Sequence, residues 1–184
     1  MVSSTVMIEG QNIHLRTVKE GDLADLYAYL DSIRLKGGYL PSDLLSEHQF
    51  RLHFYETGFW SEEKGTLIVL AEEKMIGAVW FEKQPFLDCL DLHFYIFDRE
   101  NRGKGFTREA LFLFSSYLFA TKKIERLQIS IPDYSKAAMR VAQKCGFQFE
   151  GIARSAFFHR GQYLDLCIYS LLRGECKGIE KIYR

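Results

Sequence analysis

The 184-residue chain carries no net charge, its 24 lysines and arginines matching 24 aspartates and glutamates. That balance argues against a broad nucleic-acid face and leaves room only for a local basic patch. No apolar run approaches the roughly 20 residues needed to cross a bilayer, so no membrane partner is expected. The opening MVSSTVMIEG lacks the charged and apolar regions of a signal peptide. Cysteine is sparse: Cys89, Cys145, Cys167 and Cys176 are scattered, with no CxxC pair. This speaks for buried or free thiols in a reducing cytoplasm and against a disulfide framework or a metal site. Internal repeats, low-complexity segments and linkers are also lacking. What remains, 47% hydrophobic and 26% charged, is the composition of a soluble globular protein. One domain over residues 1–184 is expected, with a loosely held tail from about 175.

Taken in order, apolar and polar residues alternate from Met7 to Thr17, a first strand. Asp22 suits the N-cap of a helix to about Ile33, and 36–41 reads as a loop. Ser46 with Gln49 resembles a capping box and opens a second helix towards Gly58. Tyr39, His48, Phe54, Tyr55, Phe59 and Trp60 in this region either pack onto a sheet or line a substrate pocket. Thr66–Ala71 and Met75–Lys83 read as a hairpin, and Asp91–Phe97 as an aromatic-rich strand. A helix follows over Phe106–Phe119, then a strand over Arg126–Ile131. Ser135 caps a helix ending at Cys145, where Gly146 fits the left-handed position. Phe147–Phe158 and Tyr163–Arg173 form a last hairpin. The pattern is an α/β fold: a mixed, mostly antiparallel sheet of about seven strands flanked by four helices.

The stretch Asp91–Leu111 (DLHFYIFDRENRGKGFTREAL) carries the chemistry. A strand leads into a loop with two glycines, Gly103 and Gly105, and then into a helix. Backbone N–H groups and the positive end of the helix dipole make such a loop a phosphate site. A dinucleotide fingerprint would require a third glycine, which Gly103-Lys104-Gly105-Phe106-Thr107-Arg108 lacks. A Walker loop, GxxxxGK[ST], is absent. The sequence RGKGFT does fit the [QR]-x-x-G-x-[GA] pyrophosphate loop, with Arg102, Gly105 and Thr107 at the marked positions. Thr107 departs from the usual Gly or Ala there.

That loop resembles the one in the GCN5-related N-acetyltransferases (the GNAT superfamily). Three further stretches resemble the same family in the right order: IHLRTVKEGDLADLY, KAAMRVAQKCGFQFEGIAR and GQYLDLCIYSLLRGE, the last similar to the RimJ/RimL-type branch. The resemblance implies a GNAT fold and acetyl-CoA as co-substrate, without a metal. Tyr95, Ile96 and Phe97 would offer main-chain bonds to the pantetheine arm. Gly103, Lys104, Gly105, Phe106, Thr107 and Arg108 would wrap the pyrophosphate, with charge added by Arg102 and Lys104. Ser135 stands where relatives place an Asn that contacts the cofactor, though a plain N-cap accounts for it equally. The partner implied is an amine, either a small molecule or a protein N-terminus, and a homodimer is compatible.

Acetyl transfer needs a deprotonated amine, a donor for the tetrahedral oxyanion and a way for thiolate to leave. Asp91, His93 and Tyr95 share one face of their strand by alternation. Asp91 aligns with a Glu common in relatives, and His93 replaces a small residue; these two are the candidate bases. Glu150 and Asp165 are further candidates, and Tyr163 has no clear role. The Tyr acid of many relatives corresponds to Ala142, and a Glu base on the fifth strand to Ser130, so both are missing. The expected function is direct acetyl transfer to a primary amine. Transfer of a longer acyl group, a catalytically silent acyl-CoA-binding module and a nucleotide-binding protein stand as alternatives.

Overall fold

The computed structural model describes residues 7–31 and 44–183. Within them lie eight strands: β1 (Met7–Glu9), β2 (His14–Thr17), β3 (Lys64–Ala71), β4 (Lys74–Lys83), β5 (Cys89–Ile96), β6 (Arg126–Pro132), β7 (Gln148–His159) and β8 (Gln162–Leu172). Four α-helices accompany them: α1 (Leu23–Asp31), α2 (Glu47–Thr57), α3 (Phe106–Thr121) and α4 (Lys136–Lys144). The strands form one sheet in the order β1-β2-β3-β4-β5-β6-β8-β7. Every neighbouring pair is antiparallel except β5 and β6.

Period-2 alternation gives each strand two faces, and both are used. Against one face, Leu90, Leu92, Phe114, Leu118, Ile129 and Tyr169 belong to a large core with α3 and α4. On the other, Leu23, Leu26, Phe50, Ile68, Tyr95 and Phe97 form a second cluster with α1 and α2. β5 supplies both. Phe81 and Phe114 have no exposed surface, and truncating either to Ala would cost about 3–5 kcal/mol.

Local chemistry sets the element ends. The first expected strand is two strands: the chain reverses between β1 and β2, with Gly10 N–H bonded to Ile13 O at 2.8 Å. This raises the strand count to eight. Asp22 is not an N-cap. It lies inside a 3-10 turn, Glu20–Asp22. Its carboxylate accepts from Lys19 N–H at 2.7 Å and from both Arg16 terminal nitrogens at 2.6 and 2.8 Å. Ser46 caps α2 by accepting from Gln49 N–H at 3.4 Å, and Gly58 ends that helix at φ +62°. The β3–β4 turn places Glu72 and Glu73 in the left-handed region at φ +48° and +63°, the twist a two-residue hairpin requires. The loop expected at 36–41 lies outside the described residues, as does Tyr39.

Most of the aromatics around α2 are packing residues. Phe50, Phe54 and Phe59 sit in the second cluster, and Trp60 packs edge-on to Phe81. Tyr55 is exposed and donates to Glu20 at 2.9 Å, and His48 is exposed. The tail expected to be loose runs along α3. A Cβ on Gly178 would meet Ser116 Oγ, Ile179 packs on the core, and Lys181 Nζ lies over the Phe112 ring. Arg173 reaches the C-terminal end of α3, donating to the carbonyls of Phe119, Lys122 and Ile124 at 2.6–2.9 Å.

Candidate functional site

The β5–β6 ladder is short: Cys89 pairs with Arg126, Leu90 with Leu127 and Asp91 with Gln128, and no pair follows. β5 then continues to Ile96 against β4 alone, and β6 to Pro132 against β8 alone. The sheet splits there into a wedge-shaped gap.

Register fixes which backbone groups face the gap. Gln84 N–H bonds Cys89 O at 3.1 Å, and Phe97 N–H bonds Ile76 O at 2.9 Å. The antiparallel rule then commits the N–H and C=O of Asp91, His93 and Tyr95, and the N–H of Phe97, to β4. The intervening Phe94 and Ile96 turn theirs towards β6. On the opposite edge, Arg173 N–H bonds Glu125 O at 2.9 Å and Asp133 N–H bonds Asp165 O at 3.1 Å. That leaves Ser130 facing the gap from β6. Of the main-chain groups expected on β5, the N–H of Ile96 turns towards the gap. The main chain of Tyr95 and the N–H of Phe97 are engaged with β4, and Phe94 is a gap-facing residue that the sequence reading missed.

Arg102 also differs from expectation. Its guanidinium folds back onto the end of β5. It donates to Ile96 O at 3.1 Å, Phe97 O at 3.3 Å and Tyr95 Oη at 3.1 Å, and lies over the Tyr95 ring. It braces the strand end before the loop. Gly103 and Gly105 stand at φ +80° and +90°, where a side chain would be strained, and a Cβ on either would meet nothing within 4 Å. Gly105 is the N-cap of α3 and makes no side-chain cap bond, so the N–H groups of Phe106, Thr107 and Arg108 have no partner within the helix. Lys104 and Arg108 are exposed beside them. Open space, bare N–H groups and a dipole's positive end together suit a diphosphate. Ser135 is buried at the N-terminus of α4, with no side-chain cap bond.

Asp91, His93 and Tyr95 share the face turned to α1 and α2. His93 stacks on Trp80, with centroids 5.1 Å apart. Asp91 is 7% exposed. Its Oδ2 accepts from Gln84 at 3.1 Å and from Ser130 Oγ, across the vertex of the gap, at 3.3 Å. Its Oδ1 is buried without a hydrogen-bond partner. Burial pushes the Asp91 carboxyl above the usual carboxylate range, against the opposing effects of His93, Ser130 and Gln84. Burial likewise pulls His93 below the usual imidazole value, so that it favours the neutral ring.

The other candidates are occupied. Glu150 is held by Arg126 at 2.6 Å and by Ser170 at 2.6 Å, which lower it to about 2, too acidic for a base. Asp165 accepts from Ser155 N–H at 2.8 Å. Tyr163 is exposed on the last hairpin, edge-on to Phe158. Ala142 is fully buried. Burial pushes the Cys145 thiol up to about 12, which removes it as a nucleophile. A cavity of about 390 Å³ lined by Trp60, Lys83, Cys89, Tyr117 and Lys122 lies at the far end of α3 and shares no residue with the glycine loop.

The comparisons agree with this geometry. The chain is 26% identical over 181 residues to a probable N-acetyltransferase, YjcK, of Bacillus subtilis, covering 90% of this chain and 97% of that one. The spermidine N-acetyltransferase of Vibrio cholerae, solved with CoA and spermine, superposes with a TM-score of 0.79 at 18% identity, over 90% of this chain and 98% of that one. An acetyltransferase of Salmonella typhimurium that modifies the N-terminal serine of ribosomal protein L7/L12 superposes at 0.74 and 18% identity, over 90% and 98%. A family model described as the acetyltransferase (GNAT) domain matches residues 12–148. The chain belongs to this family and is an N-acetyltransferase.

Proposed function

We propose that the protein transfers the acetyl group of acetyl-CoA to a primary amine by direct attack in a ternary complex, in the manner of the RimJ/RimL-like branch. The observation that carries this reading is the gap between β5 and β6, whose edge turns the N–H groups of Phe94 and Ile96 away from β4 and leads straight into the glycine loop. Pantetheine amides would replace the missing strand pairing at Phe94 and at the N–H of Ile96, whose carbonyl is held by Arg102, and the diphosphate would rest on the N–H groups of residues 103–108. Burying those backbone groups unpaired would otherwise be costly.

The thioester would lie beside the β5 edge, where an N–H of Phe94 or Ile96 can donate to the developing oxyanion. The amine would approach from the face of Asp91 and His93. Its nitrogen attacks the thioester carbonyl carbon, the C–S bond breaks, and CoA leaves as thiolate. The amine's surplus proton passes to Asp91, whose unpartnered Oδ1 and burial-raised proton affinity suit it to accept. Neutral His93 is the second acceptor, directly or through water. Holding both substrates in register supplies much of the rate without any metal.

Four free cysteines fit a reducing cytoplasm, where acetyl-CoA is at hand. The acceptor is a small amine or a protein N-terminus. A relative named as a spermidine N(1)-acetyltransferase and a solved neighbour that modifies a ribosomal protein's N-terminal serine support both classes. The test is release of free CoA from acetyl-CoA with a panel comprising spermidine, amino sugars and peptides with free N-terminal serine or alanine. Amine-dependent release is expected. Tight acetyl-CoA binding without release for any amine would defeat the reading.

A further inference from the structure

We propose that Glu109 is a positioning residue for the cofactor loop, acting through the turn between β1 and β2. The inference rests on the reading of Gly103–Arg108 as the acetyl-CoA loop. Glu109 stands in the first turn of α3 and bonds back to Gly105 O through its own N–H at 3.0 Å. Its carboxylate leaves the helix for residues almost a hundred positions away. Oε1 accepts from the main-chain N–H groups of Gln11 and of Asn12, the latter at 2.9 Å. Oε2 accepts from the Asn12 side-chain amide at 3.0 Å. Successive N–H groups pointing into one concavity form an anion-binding nest, filled here by the protein's own carboxylate.

The turn is shaped for this occupant. A Cβ on Gly10 would stand 2.3 Å from Glu109 Oε1 and 2.7 Å from Ile13 O, so only glycine lets the turn close over the carboxylate. Burial works against the charge on Glu109, but the bonds from Asn12 and Gln11 prevail and hold its carboxyl below the usual range. The consequence for the loop is geometric. A Cβ on Gly103 or Gly105 would meet nothing within 4 Å, so no side-chain packing holds the loop at those positions and it is anchored at its flanks. Arg102 anchors the flank on β5, and Glu109 anchors the flank on α3. Arg173 holds the other end of that helix. The clasp also keeps a carboxylate, four residues beyond Gly105, engaged on the N-terminal turn and away from the diphosphate it would repel.

Calorimetric titration of acetyl-CoA into the wild type, Glu109→Ala, Glu109→Gln and Asp22→Asn tests this. Glu109→Ala should weaken acetyl-CoA binding about tenfold, the size of one charge-assisted hydrogen bond. Glu109→Gln keeps a carbonyl acceptor and should fall between. Asp22→Asn loosens the remote Arg16 pair and should lower the Tm while leaving the affinity unchanged. That contrast separates positioning from general stability. If Glu109→Ala does not fold, Asn12→Ala removes one bond of the clasp and should show a smaller loss. Wild-type affinity in Glu109→Ala (or in Asn12→Ala, if that is the variant read), or an equal loss in Asp22→Asn, overturns the proposal while the loop reading stands. Failure of the wild type to bind acetyl-CoA overturns both.

Discussion

The edge of β5 and the face of β5 are built from different materials. The edge is backbone: N–H groups of Phe94 and Ile96 beside the gap, continued by the N–H groups of a glycine loop. Any sequence that keeps the strand, the split and the two glycines reproduces it. The face is side chain: Asp91 held by Ser130 and Gln84, and His93 stacked on Trp80. The chain keeps the architecture of solved relatives to which it is only 18% identical. In the proposed function, cofactor recognition belongs to the edge, and acceptor chemistry belongs to the face.

If that division holds, substitutions on the two sides separate cleanly. The largest effect is expected from Gly105→Trp. The residue sits at φ +90° beside the open first turn of α3, and the bulky ring should abolish detectable acetyl-CoA binding in calorimetry while the far-UV spectrum and cooperative melting persist. Next comes Asp91→Asn, which cannot accept the proton. It should lower turnover by about 10²-fold or more with the acetyl-CoA affinity unchanged; a parallel loss of both would dissolve the distinction between edge and face. His93→Ala should show the same split to a smaller degree.

Ser130→Ala should sharpen the picture further. Asp91 must be charged to act as base, and its carboxyl is already raised by burial, so the acid limb of the pH–rate profile should lie above the ordinary value of about 3.9. Ser130 donates to the charged form. Removing it raises the carboxyl further and should move that limb to higher pH. The smallest effect lies outside the gap, at Glu150. Its carboxyl is lowered in the fold from 4.5 to about 2, so its stabilisation is present above about 4.5 and is lost as pH falls towards 2. Glu150 is partly exposed, so screening keeps the effect modest. Thermal melts of Glu150→Gln should show a shallower decline across that window than the wild type.

The same division governs what could be read from the sequence. The loop was legible because glycine at 103 and 105 has a specific conformational meaning, and both residues adopt positive φ. The α/β pattern and four helices were legible because hydrophobic period follows element type. The split sheet was not, since the loss of pairing after Asp91 has no residue signature in either strand. Nor was the phase of the backbone: alternation assigns side chains to faces, but the ladder with β4 decides whether Phe94 or Tyr95 turns its N–H outward. The turn that breaks the first strand is met by the Glu109 carboxylate, 98 positions from Gln11. The inward turn of Arg102 reflects carbonyls at the end of β5 that a motif does not display. Ser130, which stands where a relative's base would be, meets Asp91 only because β6 lies beside β5 at the vertex.

The central claim is that acetyl-CoA completes the interrupted sheet along the β5 edge. Amide resonances followed by NMR during titration with acetyl-CoA test it most directly. The account predicts large shifts and slowed exchange at Phe94, Ile96 and residues 103–108, with the β4-bonded amides of His93, Tyr95 and Phe97 already protected beforehand. Saturable shifts confined to the cavity around Trp60, Tyr117 and Lys122, with Phe94 and Ile96 unmoved, would contradict it.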